Sequence, residues 1–359
     1  LRDLLMYDFE YNDKALKTGG NWGNRFRIAL RSIPESAKDT LEARLKIFAE
    51  KGFINYFGTQ RFGSCETKTE HVGRLILQRK WKEAMEAVLG STQALTSVQA
   101  AVDVFRTTGD AAKAAAELKG AQAFASIEGN LLRSLSKGSS WKDAIFRLPL
   151  NIRSIYIHAY QSLLWNKCAT LRWTTHGDSI VAGDTDAAGV PLGEGATCYS
   201  IQLPLPGAHC KERSGYAVEF YEKILKEDGI SFDSFKALES NFSLGEAARP
   251  LMQQAENVEW KFVQYSDDRQ QLQEDLRGIS VSSSPEEKKE QWALLLQMDL
   301  RSGCYATVAL REITGNDMGK QAQKELEDDE RAKETAEETE KILENGDGDE
   351  GAAESTAAI

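Results

Sequence analysis

Asn55-Tyr56-Phe57-Gly58-Thr59-Gln60-Arg61-Phe62-Gly63 packs three aromatics, two glycines, two side-chain amides and an arginine into nine residues. Glycine lets a backbone approach another group closely. An aromatic face can take a stacked base, worth ~1–3 kcal/mol. Amides can read a base edge and a guanidinium can hold a phosphate. The same composition also suits an aromatic turn inside a protein core, so residue chemistry alone leaves both readings open.

Outward from this stretch, the flanking segments divide by period. Upstream, Met6–Tyr11 and Phe26–Leu30 alternate apolar and polar residues, which predicts strands on either side of the turn Thr18-Gly19-Gly20-Asn21. Ser36–Lys51 has the spacing of a helix and stops at Gly52. Downstream, His71 to about Lys137 is helical and alanine-rich, with Trp81–Leu89 one amphipathic unit. A second strong helix is predicted over Ile152–Leu171, short strands after Gly177 and around Gly207, and a helix over Tyr216–Glu227. Trp260–Tyr265 and Leu294–Leu300 read as strands. Strand, then helix, then strand again suits an α+β core interrupted by a largely helical insertion.

The charge of −11 is concentrated at one end. Residues 321–359 hold 4 Lys/Arg against 14 Asp/Glu, which leaves 40 against 41 in residues 1–320. The body is therefore neutral, which permits a local basic groove without requiring one. The tail is read as a solvated, partly helical extension that gives way to disorder from Asn345. Five scattered cysteines without a CxxC pair argue against a disulfide framework or a zinc site, and the four histidines lack ligand spacing. No window approaches 18 uncharged apolar residues, so no membrane span is predicted. The opening LRDLLMYDFEY has acids where a secretory leader needs a basic region, and it starts on Leu1, which reads as a fragment.

Phe53-Ile54-Asn55-Tyr56-Phe57-Gly58-Thr59-Gln60-Arg61-Phe62-Gly63 resembles the N-Y-F-G-x-Q-R-F-G signature of the TruD family of RNA pseudouridine synthases. Gly23-Asn24-Arg25-Phe26 is similar to that family's G-N-R-F strand, and His71-Val72-Gly73-Arg74 fits the segment after the signature. Tyr160–Asn166 resembles a helix ending in Q-S-x-x-x-N. Leu205-Pro206-Gly207 resembles an L-P-G turn, and Cys304–Glu312 a Y-A-T…R-E terminus. Each motif alone is weak, but together they run in the family's order from residue 1 to about 314.

The resemblance implies a pseudouridine synthase core on a mixed, mainly antiparallel sheet, carrying the TruD-specific helical insertion. It suggests core over 1–54, insertion over 55–252, core again over 253–320 and the acidic tail over 321–359. The implied site comprises Asn55, which holds the catalytic loop and the uracil, and Phe57, which packs on the target base. Arg61 is either a phosphate contact or half of a buried ion pair. Met298 stands where the family places an aromatic across the base pocket. Gln60, Phe62, Asn24, Asn166, Tyr160 and Trp165 are expected to be structural, with Asn24 and Asn166 satisfying buried backbone groups.

The family's catalytic aspartate sits in a G-x-K-D turn, and no such turn occurs in this sequence. Lys142-Asp143 and Lys38-Asp39 have the wrong context. The aspartate is accordingly expected upstream of Leu1, and this stretch alone is expected to be inactive. Two readings remain open: an enzyme acting on tRNA, with mRNA or snRNA as further substrates, or an RNA-binding body without chemistry. Neither metal nor organic cofactor is implied. A monomer is expected, and the long spacers and acidic tail, eukaryotic in character, favour the nucleus or cytoplasm.

Overall fold

The computed structural model describes residues 20–63, 67–90, 96–266 and 291–316, with isolated positions at 10, 11, 13, 15 and 272. The strand expected over Met6–Tyr11, Cys65 and the tail 321–359 lie outside these residues or almost so.

Three strands form the main sheet. They are β1 (Gly23–Ile33), β6 (Glu256–Tyr265) and β7 (Gln291–Arg301), in the order β1-β7-β6 and antiparallel throughout. β7 is central and reads as a near-continuous apolar run, as expected of a strand covered on both faces. One face turns Leu294, Leu296, Met298 and Leu300 towards Leu41, Leu45 and Phe48 of α1 (Lys38–Lys51) and Val308, Leu310 and Ile313 of α13 (Ala306–Thr314). On the other face Asp299 accepts two 2.7 Å bonds from the Arg25 guanidinium and one of 2.8 Å from Asn257 Nδ2. Asn24, expected to satisfy buried backbone, is instead exposed on β1.

The chain leaves this layer through β2 (Phe53–Ile54) and returns through β4 (Ala248–Pro250) and β5 (Met252–Gln253). β2 pairs with β5, and β4 with β3 (Gln202–Pro204). Helices fill the interval. They are α2 (Thr69–Leu77), α3 (Trp81–Leu89), α4 (Thr96–Thr108), α5 (Ala111–Ala116), α6 (Gly120–Ala125), α7 (Ile127–Ser136), α8 (Trp141–Phe146), α9 (Leu150–His176), α10 (Tyr216–Glu227), α11 (Phe232–Lys236) and α12 (Glu239–Phe242). Serine hydroxyls cap two of them: Ser126 Oγ accepts from Gly129 N–H at 2.9 Å, and Ser140 Oγ from Asp143 N–H at 3.1 Å. The architecture is α+β, with antiparallel strand pairs among the described residues.

α9 is the axis of the helical unit, and it runs about a turn further than its periodicity predicted. The cause is Arg172, whose side chain is fully buried against Asp184, with Nε–Oδ1 at 2.9 Å and Nη2–Oδ2 at 2.7 Å. Tyr216 adds a 2.9 Å bond to the same carboxylate. Burial opposes this ionised carboxylate, but the Arg172 bonds and the Val181 N–H outweigh it and hold Asp184 below its usual range. This ion pair pins residues 177–197 as an irregular loop where short strands were expected; it holds one isolated bridge, Thr185 to Pro191, and leads into a short 3-10 turn at Cys198–Ser200. No helix of the described residues is long and apolar enough to cross a membrane.

Candidate active site

The signature turn lies where the two cores meet. Phe57 belongs to the core of the helical unit, while Tyr56 and Tyr305 pack against both that core and the one beneath the sheet. Three separate elements hold the turn. From the β4 side, Arg249 donates Nε–H to the Asn55 carbonyl and Nη2–H to Asn55 Oδ1, both at 2.7 Å. Asn55 itself is buried and donates Nδ2–H to Pro250 O at 3.3 Å. From α9, the amide of Asn166 accepts from Phe57 N–H at 2.9 Å and donates to Phe57 O at 3.0 Å. Thr170, one helical turn on, shares a 3.0 Å bond with the Tyr56 hydroxyl. From α13, Thr307 Oγ1 donates to Gln60 Oε1 at 3.1 Å.

Phe57 is 8% exposed. Its ring meets Trp165 edge-on at 5.6 Å and Tyr305 at 6.2 Å. Two guanidinium groups lie over it, Arg249 at 4.1 Å and Arg61 at 5.5 Å. Gly58 allows this crowding, because a Cβ there would stand 2.7 Å from the Tyr305 ring. Burial pulls the Arg249 side chain below its ordinary value, and the like charge of Arg61 adds to the effect; the groups that oppose it are Cys304 and Tyr305, not a carboxylate. Burial likewise lowers His158, with Arg61 contributing and the Gln161 bond opposing. Arg61 Nε is buried without a hydrogen-bond partner, and no ion pair joins Arg61 to an acid among the described residues. The result is an aromatic floor under positive charge with no counter-ion among the described residues, an arrangement able to receive an anionic ligand carrying a flat ring.

Asn55, Phe57 and Arg61 thus come together, and Met298 does not join them. Met298 is fully buried between β7 and the α1/α13 layer, opposite Phe26 in the β1 register. The aromatic that does pack against Phe57 from this part of the chain is Tyr305, seven residues later. The motif Tyr305-Ala306-Thr307 was visible in the sequence but read only as a marker of the fold. Arg249 was missed altogether, since a single arginine before a proline carries no signal. Asn166, Tyr160 and Trp165 are structural as expected, the last two being buried.

Residues 1–189 and 194–313 match the family model described as tRNA pseudouridine synthase D (TruD). The chain belongs to the TruD family. It is 44% identical over 330 residues to a Caenorhabditis elegans protein described as a pseudouridine synthase, covering 90% of this chain and 57% of that one. It is 31% identical to human pseudouridylate synthase 7 homolog, covering 91% of this chain and 51% of the other. Multisubstrate pseudouridine synthase 7 of Schizosaccharomyces pombe is also 31% identical, over 86% of this chain and 51% of its own length. The chain thus spans about half the length of these relatives. In fold it resembles the solved TruD-type structure from Methanosarcina mazei, with TM-score 0.60 and 22% identity over 83% of this chain and 70% of that one.

Proposed function

We infer that this chain is about half of an RNA pseudouridine synthase, isomerising uridine in tRNA foremost and in mRNA or snRNA as further substrates. The observation that carries this reading is the turn at the junction of the cores, where Asn55, Phe57 and Tyr305 meet under Arg61 and Arg249 with no ion-paired carboxylate among the described residues. Pseudouridine forms when the bond from N1 of uracil to C1′ of ribose breaks, the base rotates, and C5 bonds to C1′, C5 giving up its proton and N1 taking one up. A base undergoing that rotation needs a flat surface and a fixed polar edge. Phe57 and Tyr305 offer rings, and the Asn55 amide is fixed by Arg249. Arg61 is the phosphate contact, since it has no acid to pair with among the described residues. The reacting carboxylate is supplied from outside residues 1–359, which contain no G-x-K-D turn. With Tyr305 at the junction, Met298 no longer argues for a body without chemistry. A nuclear or cytoplasmic location accords with the acidic tail and long spacers, and a monomer remains part of the reading.

The test compares the product of the full reading frame with residues 1–359, using total tRNA and pseudouridine mapping. Full-length protein should turn over, and residues 1–359 should bind RNA without turnover. Asn55→Ala in the full-length protein should lower turnover about 100-fold, as small misplacements of reacting groups do. Phe57→Ala is a poorer probe, because emptying a core position costs about 3–5 kcal/mol in its own right. No pseudouridine from the full-length protein would overturn the assignment. Turnover by residues 1–359 alone would overturn the placement of the carboxylate.

A further inference from the structure

The far end of the helical unit carries a recess of about 340 Å³ between α7 and α8, lined by Asn130, Arg133, Ser134, Lys137, Arg147 and Leu148. The first four follow the spacing i, i+3, i+4, i+7 and so share one face of α7 and its C-terminal continuation. Residues 127–153 hold five Lys/Arg (133, 137, 142, 147, 153) against two Asp/Glu (128, 143).

Arg133 is fixed before any ligand arrives. Its Nε–H donates to Gly129 O at 3.2 Å, and Nη2 donates to Phe124 O and Asn130 Oδ1, both at 2.7 Å. Nη1 is left over. The guanidinium also lies 5.2 Å from the ring of Phe124, which is 43% exposed. Lys137 and Arg147 end their helices, where a cation is favourable beside carbonyl groups in any protein. That explains two isolated charges, but not their convergence with a third, immobilised one. Nor do these two side chains have acidic partners among the described residues. Some exposed cations elsewhere on the unit are paired, as in Lys82–Glu86, Arg106–Asp103, Lys113–Asp110 and Lys211–Asp233, and others are not; what sets the recess apart is three cations lining one cavity. The nearest acid in sequence, Asp143, is held by the Ser140 hydroxyl at 2.6 Å.

We propose that this recess is a second RNA contact, in which Arg133, Lys137 and Arg147 hold backbone phosphate and Phe124 offers a stacking face at the rim. It rests on the reading of the chain as an RNA enzyme. The recess precedes α9, and sixteen residues from Leu150 to Asn166 at 1.5 Å each place it about 24 Å along that helix from the signature turn. One RNA can reach both, so the recess sets which RNAs present a uridine to Phe57. Immobilising Arg133 in advance lowers the ordering cost of binding.

The experiment is a salt series of RNA-binding isotherms on residues 1–359 with a tRNA transcript, comparing wild type with Lys137→Ala/Arg147→Ala. Each lost phosphate contact should lower the slope of log K against log salt by about 0.7–0.9, and so the pair by about 1.4–1.8. At 0.1 M salt this corresponds to roughly 25- to 60-fold weaker binding. Both side chains are exposed, and an unchanged melting temperature would verify the fold. Wild-type affinity and slope in the double variant would overturn the recess while leaving the RNA reading intact. No RNA binding by wild type would sink both. If the variant loses affinity for polyglutamate but keeps it for RNA, the recess belongs to an acidic protein segment and the proposal falls.

Discussion

Asn166 spends both halves of one amide on the backbone of a single residue, Phe57, 109 positions away in the chain. Replacing it with alanine strands an N–H and a carbonyl in a partly buried place. The expected cost is about 1–3 kcal/mol, because unmet backbone groups lose their solvation without recompense. Asn166→Ala should therefore lower the melting temperature and speed hydrogen exchange at the Phe57 amide. Exchange as slow as in wild type would show that the turn is held without α9. At this scale the sequence was informative wherever a motif is contiguous: Asn55, Phe57 and Arg61 lie within seven residues and arrive together. It was silent on Arg249, which finds Asn55 only after 194 positions of chain have folded back. It misled at Met298. The run Leu294-Leu295-Leu296-Gln297-Met298 has too little alternation to say which side chain faces which layer.

The element scale turns on the seam between α2 and α9. At Gly73 the helices touch backbone to backbone, and a Cβ there would sit 2.0 Å from the Tyr156 carbonyl oxygen. No side-chain rotation relieves such a contact, so the helices must part. Gly73→Ala is expected to destabilise by at least the ~1–3 kcal/mol typical of overpacking, and thermal melting measures it. An unchanged midpoint would mean the seam has slack that the structure does not show. The seam also carries a polar knot, in which Tyr160 donates to Asp228 Oδ2 at 2.6 Å and Arg74 to Oδ1 at 3.1 Å. Burial and the Asp228 carboxylate together push the Tyr160 hydroxyl far above its ordinary value, so it stays protonated as a donor. Helix existence was legible over His71–Lys137, Ile152–Leu171 and Tyr216–Glu227, because a 3.6-residue period survives any partner, while the short α11 and α12 gave no such period. Helix ends were not. The end of α9 depends on Asp184, twelve positions past Arg172 in a segment with no period of its own.

For the molecule as a whole, acid sensitivity should come partly from the sheet. The bonds from Arg25 and then Asn257 hold the Asp299 carboxyl down at about 2. A carboxyl depressed in the folded state stabilises it above the unfolded value of ~3.9, and that contribution is lost as pH falls from there towards 2. Asp299→Asn should therefore be less stable than wild type at pH 7 and should lose less on going from pH 5 to pH 2. Parallel melting curves for the two proteins would remove Asp299 from the account.

The two-stranded ladder of β2 and β5 has a consequence for how such a protein can vary. Phe53 faces Gln253 and Ile54 faces Met252, so the chain goes out and comes home on neighbouring rungs. To β1, β7 and β6 the whole detour is one hairpin whose tip happens to be residues 55–251. The entropy of closing a loop grows only slowly with its length, so the layer beneath is nearly indifferent to how long the excursion runs. Extra helices can be spliced into it or shed without a change of register below. The exception is the first and last few residues of the detour: Asn55 and Arg249 lock the door from inside, and they must stay wherever the rest is rebuilt.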